Sequence, residues 1–316
     1  MKKLFRAVED FALEKEDSRR EERLKLKGTR SAFWASEASV RKLGMIWGRC
    51  HRSLWWEFHN VPYSNVMDAR ALRTILSGRE FEIRMNEDLK EMGLWDVRMN
   101  AKKKFFNEEL NVSAEADAFI RWEGSVIGLE YKTCYGYWSR KEIFIKRRPK
   151  IEALLQCMIY IYHFKLPWKL IYCTRDSQEM TEFNLTLDEH DLLKIDGKDF
   201  WLGPLAIDSI KNRLNEFQAC LDTKEIPARD FPILGYSKDE LEGLDKLNLL
   251  TKTEKLAMKA GQKLVKIPWM CSYCRYFFRC QREAAKEIGK SIEENLIVPM
   301  AKVEEQLASD EEEFTI

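Results

Sequence analysis

Asp117, Glu130, Lys132, Gln156 and Tyr160 combine, over a short stretch, the groups that metal-assisted hydrolysis of a phosphodiester needs: acidic ligands, a cation and a polar pair to orient it. Side chains at i and i+2 of a strand share a face, so Glu130 and Lys132 project together while Tyr131 points away. The segments 114–122 and 126–133 flank the polar turn Glu123-Gly124-Ser125 and read as a hairpin that brings Asp117 alongside Glu130. Two carboxylates would then converge on one divalent ion. Lys132 follows the apolar run Val126-Ile127-Gly128-Leu129, and an ammonium in such a strand is costly unless paired or used. In isolation, Glu130 and Lys132 also read as a same-face salt bridge on an edge strand.

The elements that follow would position these groups. Residues 151–164 carry Ile151, Leu154, Leu155, Met158, Ile159 and Tyr162 at helical period, with Pro149 suited to a first helical position. Gln156 and Tyr160, four apart, share one face of that helix. Between strand and helix lie Trp138 and the basic run Lys146-Arg147-Arg148-Pro149-Lys150. Arg147, Arg148, Lys150 and Trp138 are candidate nucleic-acid contacts, although a charge run also reads as a solvated connection. Trp55, Trp56, Tyr135, Tyr137 and Trp138 are candidates for stacking on unpaired bases.

With these motifs in place the chain resembles the PD-(D/E)XK nucleases, and within them the RecB-like branch. That family's Asp, Glu-x-Lys and Gln-x-x-x-Tyr pattern is matched by Asp117, Glu130, Lys132, Gln156 and Tyr160, with Ala116 where the pattern has proline. The resemblance implies a restriction-endonuclease-like α/β core, a mixed central sheet flanked by helices. It implies Mg²⁺ or Mn²⁺ held by Asp117, Glu130, the Tyr131 carbonyl and an acidic residue on the helix before the sheet. Glu82 fills that place by its offset from Gly78, with Glu80 as the alternative. The activity implied is exonucleolytic digestion of single-stranded DNA ends in recombination, repair or CRISPR-related processing.

Cysteine spacing is an independent signal. Of eight cysteines, three form Cys271-x2-Cys274-x5-Cys280. Three thiolates leave tetrahedral zinc or an iron–sulfur cluster one ligand short. Cys50 is the candidate fourth, with His51 an alternative. The arrangement is similar to the iron–sulfur subset of the RecB-like branch, which includes CRISPR-associated four-cysteine exonucleases and AddB-type nuclease domains; that resemblance implies a 4Fe–4S cluster stapling helical segments, with zinc the alternative. Cys134, Cys157 and Cys173 fall in apolar patterns and read as core residues.

Composition bounds the rest. The 316 residues are 45% hydrophobic and 33% charged with net charge +1, enough for a substantial core. Local patches such as Lys102-Lys103-Lys104 would have to hold nucleic acid. Residues 1–35 read as a charged helical arm, 36–300 as the nuclease domain with a helical insertion at about 235–266 and the cysteine group at 271–280, and 301–316 as an acidic tail suited to a protein partner or to solubility. Helices are expected from Ser36 or Ser39 to Cys50, over 68–91 and over 206–221; strands over 97–106, 114–122, 126–133, 169–174 and 182–187. The N-terminus lacks a secretory pattern and no apolar run reaches the ~18–20 residues of a membrane span, so a cytoplasmic protein is expected. Without a Walker loop an intrinsic ATPase is not supported. Two other readings remain: a non-catalytic nucleic-acid binder with structural zinc, and a nuclease subunit active only in a larger complex.

Overall fold

The computed structural model describes residues 32–65, 69–233, 235–247, 249–260 and 268–287; of the helical arm expected over 1–35, residues 1–31 lie outside them and Phe33–Trp34 are strand, and the acidic tail also lies outside. The chain divides into two compact units, one of residues up to Asn60 with Met67–Pro227, the other of Val61–Val66 with the residues from Ala228 onward.

The first unit is mixed α/β. In chain order it contains β1 (Phe33–Trp34), β2 (Ser39–Lys42), β3 (Met45–Gly48), α1 (His51–Phe58), α2 (Ala69–Glu91), α3 (Val97–Asn100), β4 (Lys104–Asn107), β5 (Val112–Glu115), β6 (Ala118–Trp122), β7 (Ser125–Cys134), α4 (Tyr137–Arg140), α5 (Ile151–Phe164), β8 (Trp168–Thr174), β9 (Met180–Leu187), β10 (Leu193–Ile195), β11 (Lys198–Asp199) and α6 (Ile207–Thr223). A six-stranded sheet runs β11-β10-β9-β8-β7-β6, a three-stranded sheet runs β1-β5-β4, and β2 pairs with β3. Only β7 and β8 of the large sheet run parallel, joined through α5, the crossover that a parallel pair requires.

Alternation along the strands separates two faces. One carries Phe119, Leu170 and Tyr172, packed with Ile151, Leu154, Leu155 and Met158 of α5. The other carries Ala118, Ile120, Leu129, Tyr131 and Ile171, covered by Phe81 and Leu89 of α2. Each fully buried leucine or isoleucine here contributes about 1.5–3 kcal/mol. Two features set the sheet locally. Glu123 and Gly124 both adopt positive φ, at 50° and 80°, the geometry of a tight two-residue hairpin between β6 and β7. Gly128 lets the Trp168 ring lie directly on β7, since an added Cβ would fall 2.2 Å from Cζ3.

Several expectations are corrected. The segment 36–50 is a β-hairpin rather than a helix: Leu43 and Gly44 turn at positive φ, Val40 buries opposite the half-buried Trp47, and Arg41 opposes Ile46 on the other face and stays exposed. Residues 97–106 begin with α3, whose first turn is capped by the Asp96 carboxylate accepting from Met99 N–H at 2.9 Å, and become a strand only at Lys104. The strand expected over 114–122 breaks between Glu115 and Ala118, with β5 in one sheet and β6 in the other. Helix α5 begins at Ile151, leaving Pro149 outside it, and ends where Lys165 turns left-handed.

The second unit contains α7 (Lys238–Lys246), α8 (Lys252–Lys259), α9 (Trp269–Ser272) and α10 (Phe277–Glu287). Ser237 with Glu240 and Thr251 with Glu254 form capping boxes that start α7 and α8. No helix among the described residues is long and apolar enough to cross a membrane.

Candidate active site

The β6–β7 register pairs Ala118 with Leu129; one step beyond, Asp117 stands beside Glu130. Asp117 Oδ2 accepts the Tyr131 N–H at 2.7 Å. Lys132 Nζ donates to Glu130 Oε1 and, at 3.0 Å, to Gln156 Oε1. Because an ammonium only donates, the Gln156 amide must present its oxygen to it and its Nε2 elsewhere. That Nε2 donates to the Tyr160 hydroxyl at 2.7 Å, and Tyr160 donates to the Glu115 carbonyl at 3.2 Å. The helix spacing of Gln156 and Tyr160 thus becomes an ordered relay from β7 to β5.

Tyr131 turns to the opposite face, where its hydroxyl donates to Asn86 Oδ1 at 3.1 Å and its ring meets Phe81 edge-on. Helix α2 passes this end of β7 closely at Gly78, where a Cβ would lie 3.6 Å from Thr133 Oγ1. One turn later Glu82 is half-buried and within the electrostatic reach of Asp117 and Lys132, whereas Glu80 is exposed.

The site is crowded with negative charge. Burial, then the neighbouring Glu130, pushes the Asp117 carboxyl up to about 8. Burial likewise raises Glu130, and burial followed by Asp117 raises Glu82. Burial works against the charge on Lys132, but Glu130 and Asp117 more than offset it, so the ammonium is held more firmly than a free lysine's. Glu130 Oε2 is buried with no permanent hydrogen-bond donor; among the described residues, the only group able to donate to Glu130 besides Lys132 is the Asp117 carboxyl when protonated. A carboxylate oxygen without a permanent donor, beside two further destabilised carboxyls, fits a hard divalent cation held through oxygen. Among the described residues no three His, Cys, Asp or Glu side chains form a ready-made metal-binding group; the Lys132 ammonium takes one Glu130 oxygen and the other has no permanent donor.

Two features escaped the sequence reading. Lys103 Nζ reaches the Asp117 carbonyl at 3.5 Å and pairs with Glu115 at 3.0 Å, adding a second cation beside the carboxyls. The basic triplet was visible, but which of its members turns inward depends on where β4 begins. Ala116, fully buried, donates its N–H to the Lys103 carbonyl at 3.0 Å, a bond that the proline of the family pattern could not make.

Beyond β7, Tyr135, Tyr137 and Trp138 are 59%, 62% and 60% exposed, and Lys141 Nζ lies 5.2 Å from the Trp138 ring. Arg147 is taken up elsewhere: its guanidinium donates to Thr181 Oγ1, the Glu182 carbonyl and Asp196, over the Phe183 ring, so it ties the connection to β9. Arg148 is half-buried and Lys150 exposed. Trp55 stacks on His59 and Trp56 is core, which removes Trp56 from the stacking candidates.

Cys134, Cys157 and Cys173 are core residues of the first unit. In the second unit Cys271, Cys274 and Cys280 gather around Ile233, Phe277 and Ala284. The Tyr276 N–H donates to Cys274 Sγ at 3.4 Å, and Asn65 Nδ2 donates to the Cys274 carbonyl at 3.0 Å. Tyr63 and Ser64 brace the same turn through Arg275 and Arg279. Thiols are soft-metal ligands by chemistry, but among the described residues these three do not stand as a ready-made group of metal ligands. Cys50 immediately precedes α1 in the first unit.

No protein-family model matches the chain. No curated protein matches it. A solved structure described as "Crystal structure of SSO0001" aligns over 85% of this chain and 93% of that one, at 15% identity and a TM-score of 0.41.

Proposed function

We propose that this chain is a metal-dependent deoxyribonuclease of the PD-(D/E)XK type, RecB-like branch, acting as an exonuclease on single-stranded DNA ends. The observation that carries the reading is the buried junction of Glu130, Lys132 and Gln156 beside Asp117, with one Glu130 oxygen left without a permanent donor. Glu82, Asp117 and Glu130, with the Tyr131 carbonyl, would hold Mg²⁺ or Mn²⁺. When bound, the ion would supply Lewis acidity toward water and neutralise charge on the phosphate.

The chain's own residues divide the remaining work. Lys132, kept protonated by its carboxylate neighbours, acts as a charged donor toward the scissile phosphate rather than as a proton acceptor. Gln156 fixes the direction of that ammonium, and Tyr160 fixes Gln156 by accepting its Nε2 and donating to the backbone of β5. Trp138, Arg148 and Lys150 are the strand-binding candidates on the rim. In the second unit, Cys271, Cys274 and Cys280 would supply three thiolates to a 4Fe–4S cluster, or to zinc, and the sequence nominates Cys50 for the fourth.

The test is digestion of end-labelled single- and double-stranded oligodeoxynucleotides with Mn²⁺, Mg²⁺ or EDTA. Lys132→Ala should lose roughly 10²–10³ in rate, the usual cost of removing a group that meets transition-state charge. Full activity in Asp117→Ala would refute the site.

A further inference from the structure

The three-stranded sheet has an inner and an outer face. Phe33, Phe105, Val112 and Ala114 point to the core. On the outer face the register places Ser113 between Trp34 on β1 and Phe106 on β4. Trp34 and Phe106 are 43% and 50% exposed, and the small serine leaves open space between two aromatic side chains. Further along the same face Lys104 stands opposite Glu115, its side chain 78% exposed. At the end of this face a cavity of about 360 Å³ is lined by Trp34, Ser36, Lys104, Ser113, Gln156 and Tyr160. That volume is at the small end of the ~300–1,000 Å³ typical of ligand sites. Gln156 is the side chain that receives the Lys132 ammonium, so one residue separates the cavity from the candidate active site.

We infer that this face and cavity form a stacking track for unpaired nucleotides, which delivers a single strand toward Lys132. Trp34 and Phe106 present faces to successive bases, an interaction that every base can make and that a paired base within a duplex cannot. Lys104 meets the phosphates, and Lys103 carries positive charge from the track to the Asp117 backbone. Lys103 and Lys104 both pair with Glu115, which also lines the cavity, so two ammoniums meet one carboxylate and the residual positive charge favours a polyanion over an apolar protein segment. The inference rests on the proposed nuclease reading only for where the strand leads, since binding is measured without turnover.

The experiment uses the full chain, in EDTA, with fluorescein-labelled dT12 followed by anisotropy. Trp34→Ala and Phe106→Ala should each raise Kd by about 5- to 150-fold, the range for loss of one base stack, while Trp34→Phe retains most of the affinity. Lys104→Ala should reduce the salt slope of log K by about 0.7, one phosphate contact to a single strand. Wild-type Kd in both alanine variants, at unchanged Tm, overturns the track. So does an unlabelled 12-base-pair duplex that competes as well as dT12. If no DNA is cleaved with any metal but Trp34→Ala and Phe106→Ala still weaken dT12, the track stands and the nuclease reading falls. If Lys132→Ala abolishes cleavage while both aromatic variants bind and digest as wild type, the nuclease reading stands and the track falls.

Discussion

Asp117→Asn should stabilise the metal-free protein at neutral pH while abolishing cleavage, and the gain should grow with pH. An unfolded aspartate ionises near ~3.9, whereas burial and Glu130 lift the folded Asp117 carboxyl to about 8. Between these values the folded chain holds a proton that the unfolded chain has released. Wild-type stability therefore falls as pH rises through that window, by about 1.4 kcal/mol per unit, and levels off above the folded value. The cost is on the order of 1 kcal/mol at pH 5 and a few kcal/mol at pH 7. Asparagine removes this proton demand and can keep the oxygen that accepts from Tyr131, at the ~1–3 kcal/mol expense of burying an amide with incomplete partners. The difference between variant and wild type should accordingly grow from pH 5 to pH 7 by on the order of 2 kcal/mol. Urea unfolding in EDTA at both pH values measures it. A pH-independent difference would refute the claim that a crowded, protonated carboxyl is the source of strain here.

Three further substitutions test separate parts of the structure. Gly128→Ala drives a Cβ to 2.2 Å from the buried Trp168 ring and should cost ~1–3 kcal/mol, read as a clear fall in Tm; an unchanged Tm would show that Trp168 moves aside freely. Ala116→Pro removes the N–H bonded to the Lys103 carbonyl and should lower stability by ~1–3 kcal/mol, a loss that equal urea midpoints would exclude. Anaerobically purified protein should be brown with broad visible absorbance that disappears in Cys274→Ala; colourless protein with stoichiometric zinc would replace the iron–sulfur proposal.

What was legible in the sequence follows the range of the interactions. Glu130 with Lys132 and Gln156 with Tyr160 are spaced by the strand and helix periods alone, and the structure joins the two pairs through one hydrogen bond. Glu123-Gly124 fixed the hairpin because two consecutive positive φ angles suit few other sequences. The segment 36–50 misled because its apolar residues fit either period. The decision came from Gly44 and from packing of Val40 and Trp47 against distant elements. For Arg147 the basic run shows its charge, but only the fold brings Asp196, Thr181 and Phe183 to it.

The break at Ala116–Asp117 explains why the charges meet where they do. Had residues 112–122 continued as one strand, alternation would have kept Glu115 and Asp117 in a single sheet, both facing the same side. Instead β5 ends in the small sheet at Glu115 and β6 begins in the large one at Ala118. Ala116 holds the seam through the Lys103 carbonyl. Lys103, Glu115 and the Tyr160 relay thus approach from one sheet, and Asp117, Glu130 and Lys132 from the other. Ending one strand before the next begins frees the Asp117 side chain to cap the Tyr131 N–H of the neighbouring strand and sets its carboxyl beside Glu130. The seam places Asp117 beside Glu130, and the charge crowding that raises the Asp117 carboxyl is what a cation would relieve.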